Sequence, residues 1–430
     1  MTMLKPVYST PHPLAGARVP LTVFDRAAFD DFVPTVFVYP APAPSSNEAL
    51  KEGLLTAVAA YPHLAGRLAV DDHGRRFLHV NNEGVLVVEA TLSADMAVVL
   101  AGSVPANDFN DLYPPTPEEN VGAAVLQVKL NRYKCGGLII GIISHHHVAD
   151  GHSMSTFLTK WAATVRAGKG NFAAPSPFLD RAATVVPREQ PMPRFNHRSI
   201  EFKGGEDGGD RSRSYAVVAR NKIRNLTVTF PAEFVGELKA RAAAGGRCST
   251  FKCLLAHVWK KITAARGLAP EDYTQRHSGR ASPPVPKDFF GNMVLWAFPR
   301  LQVRDLLGSS YGRVVGAICD AVSLVDAEYI QSFVDFGAVA DASREELAAT
   351  AAPPGTMLCP DLEVDSWLGF QFHQIDLGTG PPCAFVAPGL PLDGLMIFVP
   401  SGAAKDGVDL FIAVAEAHIE LFQKIWYTLD

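Results

Sequence analysis

Apolar residues recur along this chain at two spacings, one suited to a helix lying on a core and one suited to a strand. Leu50, Leu54 and Val58 stand four apart behind Asn47, a polar residue fit to cap a helix. Tyr61-Pro62 ends that run, because the residue before a proline is driven out of the helical region. Met154, Phe157, Leu158, Trp161 and Val165 repeat the helical spacing. So do Phe251, Leu254, Leu255, Val258, Trp259 and Ile262, at offsets of 0, 3, 4, 7, 8 and 11 behind a cap at Ser249 or Thr250. Residues 232–244 predict a further helix stopped by Gly245-Gly246, and Ile419, Phe422 and Trp426 predict a last one. Runs of strand length fall at 123–130, 137–143, 223–230, 395–399 and 408–415. Segments 76–80 and 84–89, joined by Asn81-Asn82, predict a hairpin. Helices and strands alternate irregularly, which predicts an α/β protein.

The periodicity lapses between 168 and 214, where Gly168, Gly170, five prolines and the run Gly204-Gly-Glu-Asp-Gly-Gly209 allow no sustained pattern. This stretch reads as a long crossover between a domain at 1–167 and another at 215–430. Size agrees: 430 residues, 48% of them hydrophobic and 19% charged, suffice for two cores. With 39 Lys+Arg against 44 Asp+Glu, a net charge of -5, the chain has no electrostatic footprint for nucleic acid and no polybasic membrane anchor. Its longest apolar stretch, 137–143, is far short of the roughly 20 residues that span a bilayer. The first residues lack the apolar core of a secretory signal, so a cytoplasmic protein is expected. Six cysteines without a C-x-x-C pair are expected to be reduced, mostly buried thiols, and not a cysteine zinc site.

The densest polar cluster is Ser144-His145-His146-His147-Val148-Ala149-Asp150-Gly151-His152. An apolar strand delivers it and an amphipathic helix follows, so it lies at a sharp turn for which Gly151 supplies an unusual backbone conformation. A histidine there, with an ordinary pKa of about 6.5, is largely neutral at pH 7 and suited to general-base work. Asp150 is expected to point the other way and fix the turn. Polar residues satisfied at a loop and a metal site are the competing readings. Adjacent histidines diverge and no second ligand cluster is evident, so no metal is expected. No Gly-x-Ser-x-Gly elbow offers a nucleophile.

The cluster also resembles the signature of a known family, the plant acyl-CoA-dependent acyltransferases called BAHD enzymes. Their H-H-x-x-x-D-G matches His146-His147-Val148-Ala149-Asp150-Gly151, although related condensation and acetyltransferase folds share that motif. Their Y-P-L-A-G-R-L appears as Tyr61-Pro62-His63-Leu64-Ala65-Gly66-Arg67-Leu68. Y-F-G-N appears as Phe289-Phe290-Gly291-Asn292. S-W followed by D-F-G-W-G-K-P appears as Ser366-Trp367, then Asp376-Leu377-Gly378-Thr379-Gly380-Pro381-Pro382. The resemblance spans nearly the whole chain. It implies two chloramphenicol-acetyltransferase-like domains with a solvent channel at their interface, and acyl-coenzyme A as co-substrate in a ternary complex. It makes His146 the base and Asp150 a structural acid. It also implies that Asp150 meets an arginine, for which Arg280 is the first candidate and Arg276 the second.

Departures from the pattern bear on specificity. Thr379 stands where the family has tryptophan, and either widens the channel or is loop packing; Asp376, Gly378 and Gly380 keep the turn. Relatives that acylate shikimate or quinate have an arginine where this chain has Gly369. Asp365 precedes Ser366-Trp367, and either faces a cationic acceptor or faces solvent. The run Asp288-Phe-Phe-Gly-Asn-Met-Val-Leu-Trp-Ala-Phe-Pro299 resembles grass hydroxycinnamoyltransferases that acylate agmatine, putrescine, spermidine or tryptamine. Arg247, Ser249, Thr250 and Lys252 open a helix and are candidates for the coenzyme A phosphates. The expected protein is thus a monomeric enzyme passing a hydroxycinnamoyl group to an amine. An alcohol acceptor, or a catalytically weak ligand-binding homologue, is the alternative, and a metal-dependent hydrolase the outsider.

Overall fold

The computed structural model describes residues 1–43, 45–93, 96–97, 111–168, 176–199, 201–202, 215–243, 248–279, 285–286, 288–347, 349, 352, 354–386, 389–402 and 404–429. Two large mixed sheets organise them. In the first, the strands Phe32–Tyr39, Leu138–His145, Leu126–Tyr133 and Val85–Leu92 lie side by side, with Thr2–Leu4 at one edge. Leu138–His145 is buried along its whole length, so both of its faces are covered. The helices Asn47–Ala60 and Gly151–Ala167 pack together, and Trp161 donates its indole N–H to the carbonyl of Leu50 at 3.0 Å. The cap of Asn47–Ala60 is Ser46 and not Asn47: its hydroxyl accepts the N–H of Ala49.

The second sheet runs Trp296–Ala297, Tyr273–Gly279, Leu362–Ser366, Leu395–Pro400, Val408–Ala415 and Ile223–Phe230, with parallel pairing at its centre. Helices Ala232–Ala242, Thr250–Arg266 and Tyr311–Ser323 bury their apolar stripes in the second core. Tyr311–Ser323 and Ala327–Ser343 were not anticipated from the sequence pattern. One strand crosses over. Ala384–Val386, from the second half, pairs antiparallel with Phe32–Tyr39 and completes the first sheet, setting Phe385 opposite Phe37.

Two expectations are corrected. Segments 76–80 and 84–89 do not form a hairpin. Arg76–His79 pairs with Arg67–Val70 and Arg18–Pro20 in a separate small sheet, whereas Val85–Leu92 runs parallel to Leu126–Tyr133. Asn82, at φ 52°, does turn the chain, but into another sheet and not back on itself. Nor are all the cysteines thiols. Cys248 and Cys253 are paired as a disulfide at the start of helix Thr250–Arg266. Of the four free cysteines, Cys135 is exposed and the others are half-buried.

Residues 176–199 lie against the rest of the chain: Phe178 bridges to Phe289, and Arg188 is paired with Asp335 and Glu328. The glycine run at 204–209 lies outside the described residues.

Candidate active site

Strand Leu138–His145 ends at the histidine cluster, and the turn after it leads directly into helix Gly151–Ala167. Asp150 is the helix cap. One carboxylate oxygen accepts the N–H of Ser153 at 2.8 Å and the other accepts the N–H of Met293 at 3.2 Å. The Asp150 N–H donates to the carbonyl of Gly291 at 3.0 Å. Asp150 therefore ties the turn to the Phe289-Phe290-Gly291-Asn292 segment through backbone groups. Arg280 and the side chain of Arg276 lie outside the described residues. Gly151 has an ordinary helical backbone, contrary to the expectation of a special turn conformation. What demands glycine there is the Phe370 ring, which a Cβ would approach to 2.6 Å.

His146 is the partly accessible member of the cluster, whereas His145 and His147 are buried. Its Nδ1 lies 3.1 Å from Oδ1 of Asn292. The Asn292 amide donates to the carbonyl of His146 at 2.8 Å and to Oδ1 of Asp25 at 2.9 Å. Behind Asp25 stands Arg181, whose Nη1 lies 3.0 Å from the same oxygen. Arg181 also donates to the carbonyls of His147, at 3.4 Å, and Val148. Asp25, Arg181 and Asn292 are all buried. Sequence reasoning missed Asp25 and Arg181. Asp25 was signalled by Thr22, with which it forms a capping box; Arg181 lies in aperiodic sequence and gave no signal.

His145 and His147 face the other way, toward Asp30. His145 Nε2 lies 3.5 Å and His147 Nδ1 3.7 Å from Oδ1 of Asp30, and the three donor atoms lie within 4.8 Å of one another. Histidines two apart thus converge, which the sequence reading did not foresee. The arrangement is a poor fit to a metal. His145 Nδ1 accepts the N–H of His147 at 3.2 Å, so neutral His145 carries its proton on Nε2, the atom facing Asp30. Arg76 already holds the Asp30 carboxylate at 2.5 Å. Burial pushes His147 down to about 4, with the positive charge of His145 adding to the shift. Burial also lowers His145, against the pull of Asp30.

The acceptor candidates lie on strand Leu362–Ser366. Leu362 and Val364 face the second core. Glu363 and Asp365 point to the opposite face, which they share with Leu395 and Ile397 on the neighbouring strand, and Ile397 belongs to the first core. Both carboxylates are half-buried. Burial, then the charge of Asp365, pushes Glu363 up to about 7. The strand leads to Trp367, buried and stacked on Phe370, the ring that covers Gly151. Gly369 lies exposed between them. Glu363, which the sequence reading passed over, thus joins Asp365 on the strand that runs toward the histidine turn.

Other candidates fall elsewhere. Asp376 accepts the N–H groups of Gly378 at 2.7 Å and Gly380 at 2.9 Å, and both glycines have positive φ. This turn is held by Arg166, fifteen residues beyond Gly151 on the same helix and so roughly 20 Å from the histidine turn. Thr379 is exposed there, which favours loop packing over a channel role. Ser249 caps helix Thr250–Arg266 by accepting the N–H of Lys252, and the Lys252 ammonium donates to Cys319 Sγ at 3.2 Å. Arg247 lies outside the described residues. No described helix is long and apolar enough to cross a membrane.

The two sheets and the histidine turn are an acyltransferase-type fold and motif, and comparison with known proteins narrows the class. The fold matches the crystal structure of vinorine synthase (TM-score 0.72, 20% identity, 98% of this chain and 95% of that one). It also matches F. graminearum TRI101 complexed with coenzyme A and deoxynivalenol (TM-score 0.72, 17% identity, 94% and 96%). A sequence model of the Transferase family covers residues 2–429, and the chain belongs to that family, the BAHD acyltransferases. Among its relatives are tryptamine benzoyltransferase 1 of Oryza sativa subsp. japonica, 62% identical over 100% of this chain and 96% of the relative, and tryptamine hydroxycinnamoyltransferase 2 of the same plant, 56% identical over 96% and 94%. Agmatine hydroxycinnamoyltransferase 1, also from that plant, is 36% identical over 99% and 97%. The chain is therefore an acyl-coenzyme A-dependent acyltransferase.

Proposed function

We propose that the protein transfers a benzoyl or hydroxycinnamoyl group from coenzyme A to an arylalkylamine of the tryptamine kind, with His146 as general base. The observation that carries the amine class is the naming of relatives 56–62% identical over nearly the whole chain for tryptamine. The acidic pair Glu363 and Asp365 supports it, since two carboxylates on the strand leading to the catalytic turn attract a protonated amine. His146 takes the proton from the amine nitrogen as that nitrogen bonds to the thioester carbonyl. The tetrahedral oxyanion then collapses, the carbon–sulfur bond breaks, and coenzyme A leaves as thiolate. No acyl-enzyme forms.

In this reading residues 1–167 and 215–430 are the two domains, 168–214 the crossover, and the substrate channel lies where they meet. The start of helix Thr250–Arg266, with Lys252, receives the coenzyme A phosphates. The enzyme acts as a cytoplasmic monomer. The test is a matrix of benzoyl-, p-coumaroyl-, feruloyl- and acetyl-coenzyme A against tryptamine, agmatine, putrescine, spermidine and simple alcohols, read by free thiol and product mass. Turnover highest with tryptamine and an aromatic acyl group supports the proposal; turnover highest with a polyamine or an alcohol overturns it.

A further inference from the structure

We propose that Asp25 is a positioning residue for this reaction: held by Arg181, it sets, through Asn292, which ring nitrogen of His146 carries the proton. The inference rests on the reading of His146 as general base, and it follows from counting donors and acceptors. The Asn292 amide can be placed two ways. As it stands, Nδ2 donates to Asp25 Oδ1 at 2.9 Å and to the His146 carbonyl at 2.8 Å. Turned over, it sets its own oxygen against a carboxylate and a carbonyl in the interior, three acceptors with no donor between them. The amide oxygen is therefore forced toward His146 Nδ1, at 3.1 Å. An amide oxygen only accepts. Nδ1 must then carry the hydrogen, and Nε2 is left with the lone pair that a base needs.

Asp25 is what makes the turned-over amide costly, and its own geometry is fully committed. Oδ2 accepts both the N–H and the hydroxyl of Thr22, each at 2.9 Å. Oδ1 accepts from Asn292 and from Arg181. Arg181 supplies the counter-charge for a carboxylate with no access to water, and it ties the carbonyls of His147 and Val148 to the same point. No proton travels along this chain of contacts. Asp25 acts on the orientation of Asn292, and Asn292 on the tautomer of His146.

The test is the tautomer itself, read in two-bond 1H–15N spectra of protein labelled with 15N-histidine, with His146 assigned by its loss in His146→Gln. Wild type should show the Nδ1–H form. Asn292→Ala and Asp25→Ala should show the Nε2–H form or a mixture, with kcat down by about 100-fold or more and the KM for acyl-coenzyme A little changed. Asp25→Asn keeps an acceptor for Asn292 and should recover part of the loss. Because Asp25 acts through Asn292, the double variant Asp25→Ala/Asn292→Ala should be no slower than Asn292→Ala. If Asp25→Ala does not fold, Asp25→Ala/Arg181→Met removes the stranded cation and carries the same test. An Nε2–H wild type, an unmoved tautomer in the Asp25 variants, or additive losses would overturn the proposal. Full activity in His146→Gln would instead sink the base assignment while leaving the tautomer measurable.

Discussion

Asp25 and Arg181 stand 156 positions apart and meet in the interior at 3.0 Å, each almost closed to water. The arginine comes from the stretch between the two halves, so a segment that reads as a connector places a charge directly beneath the histidine turn. Removing one member of such a pair strands the other. Arg181→Met should lower stability by about 3–5 kcal/mol, and Arg181→Met/Asp25→Asn should recover much of it, as judged by denaturant midpoints.

His146→Ala should lower kcat by about 100- to 10,000-fold with folding intact, since the variant loses only the proton acceptor. Thiol release from acyl-coenzyme A in the presence of amine, alongside circular dichroism, checks both halves of that statement. Activity at the wild-type level would exclude the residue as base.

Acid should destabilise the protein in a defined window. The folded pKa of His147 is depressed to about 4, whereas the unfolded histidine titrates near 6.5, so the unfolded chain binds more protons between these values. Its contribution is complete above about pH 6.5 and is lost as pH falls toward about 4, at most on the order of 3 kcal/mol. His147→Gln should flatten the dependence of the urea midpoint on pH across that range.

Burial, then the charge of Asp365, brings Glu363 up toward neutrality. Its pKa of about 7 means that raising pH through neutrality creates a second negative charge beside Asp365. Affinity for a cationic amine should therefore rise through pH 7 in the wild type, and Glu363→Gln should weaken amine binding and level that rise. KM for the amine measured from pH 6 to 8, with KM for acyl-coenzyme A as the control, tests this.

Thr379→Trp should leave the substrate profile unchanged, because position 379 is exposed on a turn held by the far end of helix Gly151–Ala167. A shift in acyl or amine preference in the substrate matrix would show that the turn reaches the site.

Local features were the legible ones. Helix Thr250–Arg266 and strands Ile223–Phe230 and Val408–Ala415 follow from the spacing and density of their apolar residues, Val408–Ala415 being covered on both faces, with Leu410 and Ile412 in the second core and Phe411 and Ala413 in the first. Helix Tyr311–Ser323 obeys the same rule, with Tyr311, Val314, Val315 and Ile318 buried at offsets of 0, 3, 4 and 7, and was legible though unread. The partner of a strand was not legible: Arg76–His79 and Val85–Leu92 have the right composition for each other, but pairing is settled by long-range packing. The same holds at the site. The histidine turn and Asp150 announce themselves by spacing. Arg181 does not, because a lone arginine among prolines looks like solvated surface until the fold brings a carboxylate to it.

The strand Ala384–Val386 has a consequence for how the chain can be divided. Produced alone, the first half would leave the outer side of Phe32–Tyr39 as a bare row of backbone donors and acceptors next to Phe37, an open edge of the kind that recruits other chains. Cutting the gene within the connector should thus yield an insoluble amino-terminal fragment that becomes soluble on co-expression with its complement. The strand interlocks the two sheets, and an enzyme built this way is inherited, truncated or recombined only as a whole.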